Sequence, residues 1–171
     1  MARIGKYGGI KGSTLKVSVS ETIAIGGRDY GASNSIEIHE ITDISRRIVT
    51  IPGGVAAKEL LAFGAAIAAG TYIASDVKYI RITNLDDSNE CHLIFKNSDN
   101  DETAIVLDKG QSFIYNGKLN QNEGVVDTME VAAAGAVTVS SGGVTGLNDL
   151  TEIRGCTTAS EVDVELYVAS V

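Results

Sequence analysis

Tryptophan is missing from this 171-residue chain, proline occurs once, and cysteine and histidine occur twice each. Each scarcity excludes something. Cys91 and Cys156 cannot make a disulfide framework and have no metal-site spacing, so they read as reduced, mostly buried thiols. His39 and His92 cannot supply a three-histidine metal site from one chain. The absence of tryptophan weighs against a row of aromatic platforms for sugar rings; Tyr30, Tyr72 and Tyr167 are the remaining candidates for a carbohydrate- or ligand-binding module. The longest apolar stretch, Leu60 to Ala69, is about half a membrane span and contains Gly64, so no membrane partner is expected. The first residues, MARIGKYGGIKGS, lack the long apolar core of a signal peptide, which implies folding in the cytoplasm of the producing cell.

What is present points to one folded domain. Hydrophobic residues make up 44% of the chain, enough for a core and too many for a disordered segment. The net charge of −8 argues against nucleic acid as a partner, because phosphate binding needs a basic surface. That charge is unevenly placed. The first 16 residues carry Arg3, Lys6, Lys11 and Lys16 and no acid, whereas the body is acidic. Gly5, Gly8, Gly9 and Gly12 interrupt this leader, which costs entropy to order unless a partner holds it. Residues 1–13 therefore read as a flexible basic arm, with Arg3, Lys6, Tyr7, Ile10 and Lys11 as its partner-binding residues. Alternating cations, glycines and apolar residues suit a strap laid along an acidic protein surface.

From Thr14 the dominant period is two. Leu15, Val17 and Val19 share a face, as do Ile80 and Ile82, Leu93 and Phe95, and Phe113 and Tyr115. The cleanest run is last, with Val162, Val164, Leu166 and Val168 alternating against Glu161, Asp163, Glu165 and Tyr167. In SIEIHEITDI, Ile36 and Ile38 share a face and Ile41 falls on the other, which predicts a β-bulge near His39 and Glu40. VAAKELLAFGAAIAA, residues 55–69, has helical propensity but no amphipathic stripe, so strands around ELLAF are favoured. Residues 14–171 are accordingly expected to form a single all-β domain, an antiparallel β-sandwich or jelly roll, with a core of Ile, Val, Leu and Ala.

Candidate chemistry is thin. Asp86, Asp87 and Glu90 cluster in LDDSNE, and Asp99, Asp101 and Glu102 in NSDNDE. Converging carboxylates can hold calcium, but neither loop has EF-hand spacing, and both are expected to be hairpin turns with no metal. Cys91 and His92 are adjacent in a strand, so their side chains diverge and make no nucleophile pair. Neither a G-x-S-x-G elbow nor a phosphate-binding G-x-x-x-x-G-K-[ST] loop occurs. The sequence nominates no enzyme and no cofactor.

The block DVKYIRITNLDDSNECHLIF, followed by AIVLDKGQSFIYN, resembles short virion structural proteins of tailed bacteriophages. In these a Y-I-R-I-T-N strand, an acidic turn, an apolar strand and an L-x-x-G-x-S-F strand recur in all-β domains. The resemblance covers roughly residues 75–116; SIEIHEITDISRRIVTIPGG and ELLAFG fit the same arrangement more loosely. It implies a small sandwich on the virion, attached to the major capsid protein or another virion protein, commonly as a symmetric homo-oligomer such as a trimer. Capsid decoration (cement) is the role expected first, and a tail, fibre or head-fibre component second.

Overall fold

In a computed structural model of the chain, residues 12–54, 56–65, 70–116, 129–132, 138–140, 143–145, 147–158 and 160–171 are described. The strands are β1 (Ser13–Glu21), β2 (Ala24–Ile25), β3 (Arg28–Asp29), β4 (Ala32–Ile41), β5 (Asp43–Ile51), β6 (Lys58–Gly64), β7 (Thr71–Ile73) and β8 (Val77–Asn84). They continue with β9 (Cys91–Asn97), β10 (Glu102–Leu107), β11 (Ser112–Tyr115), β12 (Glu130–Ala132), β13 (Thr138–Ser140), β14 (Gly143–Thr145), β15 (Leu147–Cys156) and β16 (Val162–Ser170). The chain is all-β, as its period-two patterning requires. ELLAF lies within β6, where Leu60, Leu61 and Phe63 are buried.

Two sheets carry the core. One has the order β11-β8-β16-β5, and the other β10-β9-β15-β6-β7, with β12 also pairing β15. The pairs are antiparallel except β6 with β7, which run parallel. Ile80, Ile82, Val164, Leu166 and Val168 from the first sheet meet Leu61, Leu93, Phe95 and Ile153 from the second in one buried cluster. The inward sets of the sequence patterns therefore face each other across the sandwich. Alanine contributes less than expected: of the described residues only Ala169 is a buried alanine. Close approach of the sheets is set instead at Gly155, where an added Cβ would lie 2.5 Å from Ile51 Cδ1 and 3.0 Å from Leu60 Cδ1.

The two orders mirror each other. β11 matches β10 in position along its sheet, β8 matches β9, β16 matches β15 and β5 matches β6, each pair being consecutive in the chain. The connections after β5, β8, β10 and β15 are thus corners that join the members of these pairs, and the one after β7 also passes from sheet to sheet. This corrects the expected hairpin at Asp86–Glu90. β8 and β9 belong to different sheets, so the loop turns a corner of the sandwich. Alternation places Ile82 and Leu93 in the core, but it does not say whether successive strands pair or stack. The NSDNDE loop does close a hairpin, between β9 and β10.

Residues 13–41 stand outside both sheets. Among the described residues β1 pairs only with β4, and β2 with β3, in a single register running from Leu15↔Ile38 through Glu21↔Ala32 to Ile25↔Arg28. Gly26 and Gly27, at φ 58° and 79°, form the two-residue turn that a tight hairpin demands. Near the base the register slips between Ser13 and Leu15, and Glu40 adopts φ 64°. This is the bulge expected at His39 and Glu40.

Candidate interaction surface

Cross-strand partners in a ribbon project to the same side. One side of this ribbon carries Leu15 with Ile38, Val17 with Ile36, Val19 with Asn34, Glu21 with Ala32, Ile23 beside Tyr30, and Ile25 with Arg28. The other carries Lys16 with Glu37, Ser18 with Ser35, and Ser20 with Ser33. An apolar stripe thus runs along one side from base to tip.

Its proximal half is used within the molecule. Ile38 and Ile41 are buried against Tyr79 and Ala169 on the outer side of the first sheet, and Leu15, Val17, Ile36 and Tyr167 pack around them. Tyr79 and Tyr167 meet edge to face, ring centroids 5.8 Å apart. Burial pushes the Tyr79 phenol above its ordinary value, more than the Arg81 cation beside it lowers it. A groove of about 220 Å³ follows this seam, between Lys16 and Ser18 of the ribbon and Arg81 and Tyr167 of the sheet.

Among the described residues the distal half has no such cover. Val19, Ile23, Ile25 and Tyr30 are 47%, 48%, 61% and 59% exposed. Two-stranded ribbons are marginal in water on their own. Here the base is anchored, while the tip offers apolar surface and two open strand edges.

Next to the seam, Glu165 is buried on the outer side of the first sheet, between two arginines. Arg46 donates from Nε at 2.7 Å, and Arg81 ion-pairs with the second carboxylate oxygen. Arg81 also sits over the Tyr167 ring, 5.5 Å from its centroid. Exposed Ile44 and Ile48 flank Arg46 on β5, and exposed Ile114 lies across the sheet on β11.

The acidic loops are occupied with their own backbones. Asp86 Oδ1 accepts from Ser88 N at 2.8 Å, Asn89 N at 2.6 Å and Asn89 Nδ2 at 3.2 Å. The two backbone donors hold its carboxyl below the ordinary aspartate range. In the β9–β10 hairpin, Asn97 Oδ1 accepts from Asp99 N at 3.0 Å and Asp101 N at 2.8 Å. Among the described residues no group of three or more His, Cys, Asp or Glu side chains is placed to hold a metal ion.

Cys91 and His92 diverge as the strand requires. Cys91 is fully buried, its thiol pushed up to about 12 by desolvation, whereas His92 points outward to Glu90 at 3.2 Å. Of the candidate tyrosines, Tyr72 donates to Ser45 Oγ at 2.9 Å and Tyr167 packs into the seam, leaving Tyr30 exposed. Arg3, Lys6, Tyr7, Ile10 and Lys11 lie outside the described residues.

The ribbon's distal stripe was not singled out by sequence reasoning. Its signal was there, since the odd-numbered positions continue from Val19 through Ile23 to Ile25 and stop at Gly26-Gly27. No protein-family model, curated protein or solved structure matches the chain. Among the described residues no helix is long and apolar enough to cross a membrane.

Proposed function

We propose that this chain is a capsid decoration (cement) protein, which binds the outer surface of a viral head and stabilises it by bridging capsid subunits. The observation that carries this reading is the ribbon, whose apolar distal side has no partner among the described residues. A chain of net charge −8, its acids all beyond the first 16 residues, favours solubility for copies crowded on a shell, and a basic arm at residues 1–13 gives each copy a second grip. Several weak contacts per copy add through multivalency, and the bound state holds the shell by mass action without turnover.

The fold reading is refined in the same way. The mirrored strand orders joined by four corners support a jelly roll, an architecture used by viral capsid and lectin domains. The chain would be made in the host cytoplasm and reside on the virion, as a homo-oligomer in contact with the major capsid protein or a neighbouring virion protein.

The test is the heat resistance of undecorated heads with and without saturating protein. A rise in their disruption temperature that scales with occupancy is expected. Bound protein that leaves the disruption temperature unchanged would remove the cementing role and favour a tail or head-fibre component.

A further inference from the structure

The distal ribbon and the β5 margin of the first sheet are complementary surfaces of one chain. On the ribbon's apolar side, Val19, Glu21 and Ile23 project at two-residue intervals. On the outer side of β5, Ile44, Arg46 and Ile48 project at the same interval. Both strands repeat every ~7 Å along a face, so an apolar–acid–apolar triplet can lie on an apolar–base–apolar triplet in register. The Arg46 side chain is 68% exposed despite its bond to Glu165, and Ile44 and Ile48 are 51% and 61% exposed.

We infer that the ribbon tip docks on the β5 margin of a second copy of this chain, with Glu21 facing Arg46 and the flanking aliphatic side chains packed together.

Two features favour a second copy over an unrelated partner. The stripe already seats its proximal half on the outer side of this same sheet, against Tyr79 and Ala169, so the new contact continues an existing interface. The triplets also match in both spacing and charge. The reach suffices: from Val19 to Ile25 the ribbon extends about 20 Å, more than the ~15 Å width of a four-stranded sheet. Because the two surfaces differ, the contact closes either reciprocally, as a two-fold pair in which each ribbon seats on the other copy, or head-to-tail as a ring.

The test uses the purified full-length chain, without heads. Light scattering is expected to give a multiple of the 17.9 kDa monomer mass. Ile23→Asp should reduce it to monomer while circular dichroism stays unchanged, since Ile23 is exposed. In a Cys156→Ser background, Ile23→Cys and Ile48→Cys chains are mixed and treated with a short bismaleimide. Buried Cys91 should be spared, and cross-linked dimer should form in the mixture at least tenfold above either chain alone.

A monomeric wild type, an Ile23→Asp chain of unchanged mass, or equal cross-linking of Ile23→Cys with itself would each overturn the inference. The decoration reading fails differently. A chain that binds heads as a monomer keeps that role and loses this contact, while an oligomer that ignores heads does the reverse.

Discussion

The side-chain amide of Asn84, at the end of β8, donates to the carbonyl oxygen of Leu107 on β10 at 3.1 Å, joining one sheet to the other. The same amide reaches Asn89 O at 2.9 Å, and Oδ1 accepts from Asp86 N at 3.0 Å. The Asn84 backbone bonds Gly110 and Gln111 in the next corner. Two corner loops are thus held by one fully buried residue. Asn84→Ala strands these buried polar groups and should cost about 2–3 kcal/mol. A thermal melt should show Tm lower by about 4–12 °C; a melt within a degree of wild type would mean that the corners hold without it.

Gly155 gives a second test of the core. Its absent side chain makes room for Ile51 and Leu60, so Gly155→Val should overpack the sheet interface and destabilise by about 1–3 kcal/mol. Pairing it with Ile51→Ala frees the space that Val needs. Denaturant unfolding should then show the double variant more stable than the sum of the single losses predicts.

The Cys91 thiol supplies a pH dependence. Its folded pKa is raised to about 12 by burial, so its contribution to stability is fully present below the unfolded thiol's value near 9. That contribution is lost as pH rises toward 12. Urea midpoints measured between pH 8 and 11 should fall for the wild type and fall less for Cys91→Val. In the native protein at pH 8, a thiol reagent should label the partly exposed Cys156 well ahead of Cys91.

The arm is tested by removing residues 1–11, which keeps the ribbon from Ser13 onward. The truncated chain should melt as the full chain does but attach to heads at least tenfold more weakly, measured by co-sedimentation. Attachment of equal strength would confine the grip to the sandwich and ribbon.

Much of the sandwich could be read from the amino acids. Val162 to Val168, Ile80 with Ile82, and Leu93 with Phe95 point inward as their alternation required, because each strand has one buried face. The bulge at Glu40 was visible as a phase shift between Ile38 and Ile41. Pairing between strands was not visible. Asp86–Glu90 looked like a hairpin because local pattern fixes which side a residue faces, while partner choice depends on contacts far along the chain. The burial of Glu165 was hidden for a related reason. Its strand position says "outward", but Arg46 and Arg81 close over its carboxylate on that side. The ribbon tip was legible in phase and went unremarked, because an exposed aliphatic side chain takes on meaning only once its neighbours are placed.

The most direct measurement is size-exclusion chromatography with light scattering, run on the protein alone and mixed with undecorated heads. A small closed oligomer that co-elutes with the heads at a fixed ratio is the result this account predicts. Protein that elutes apart from the heads at every ratio would contradict it.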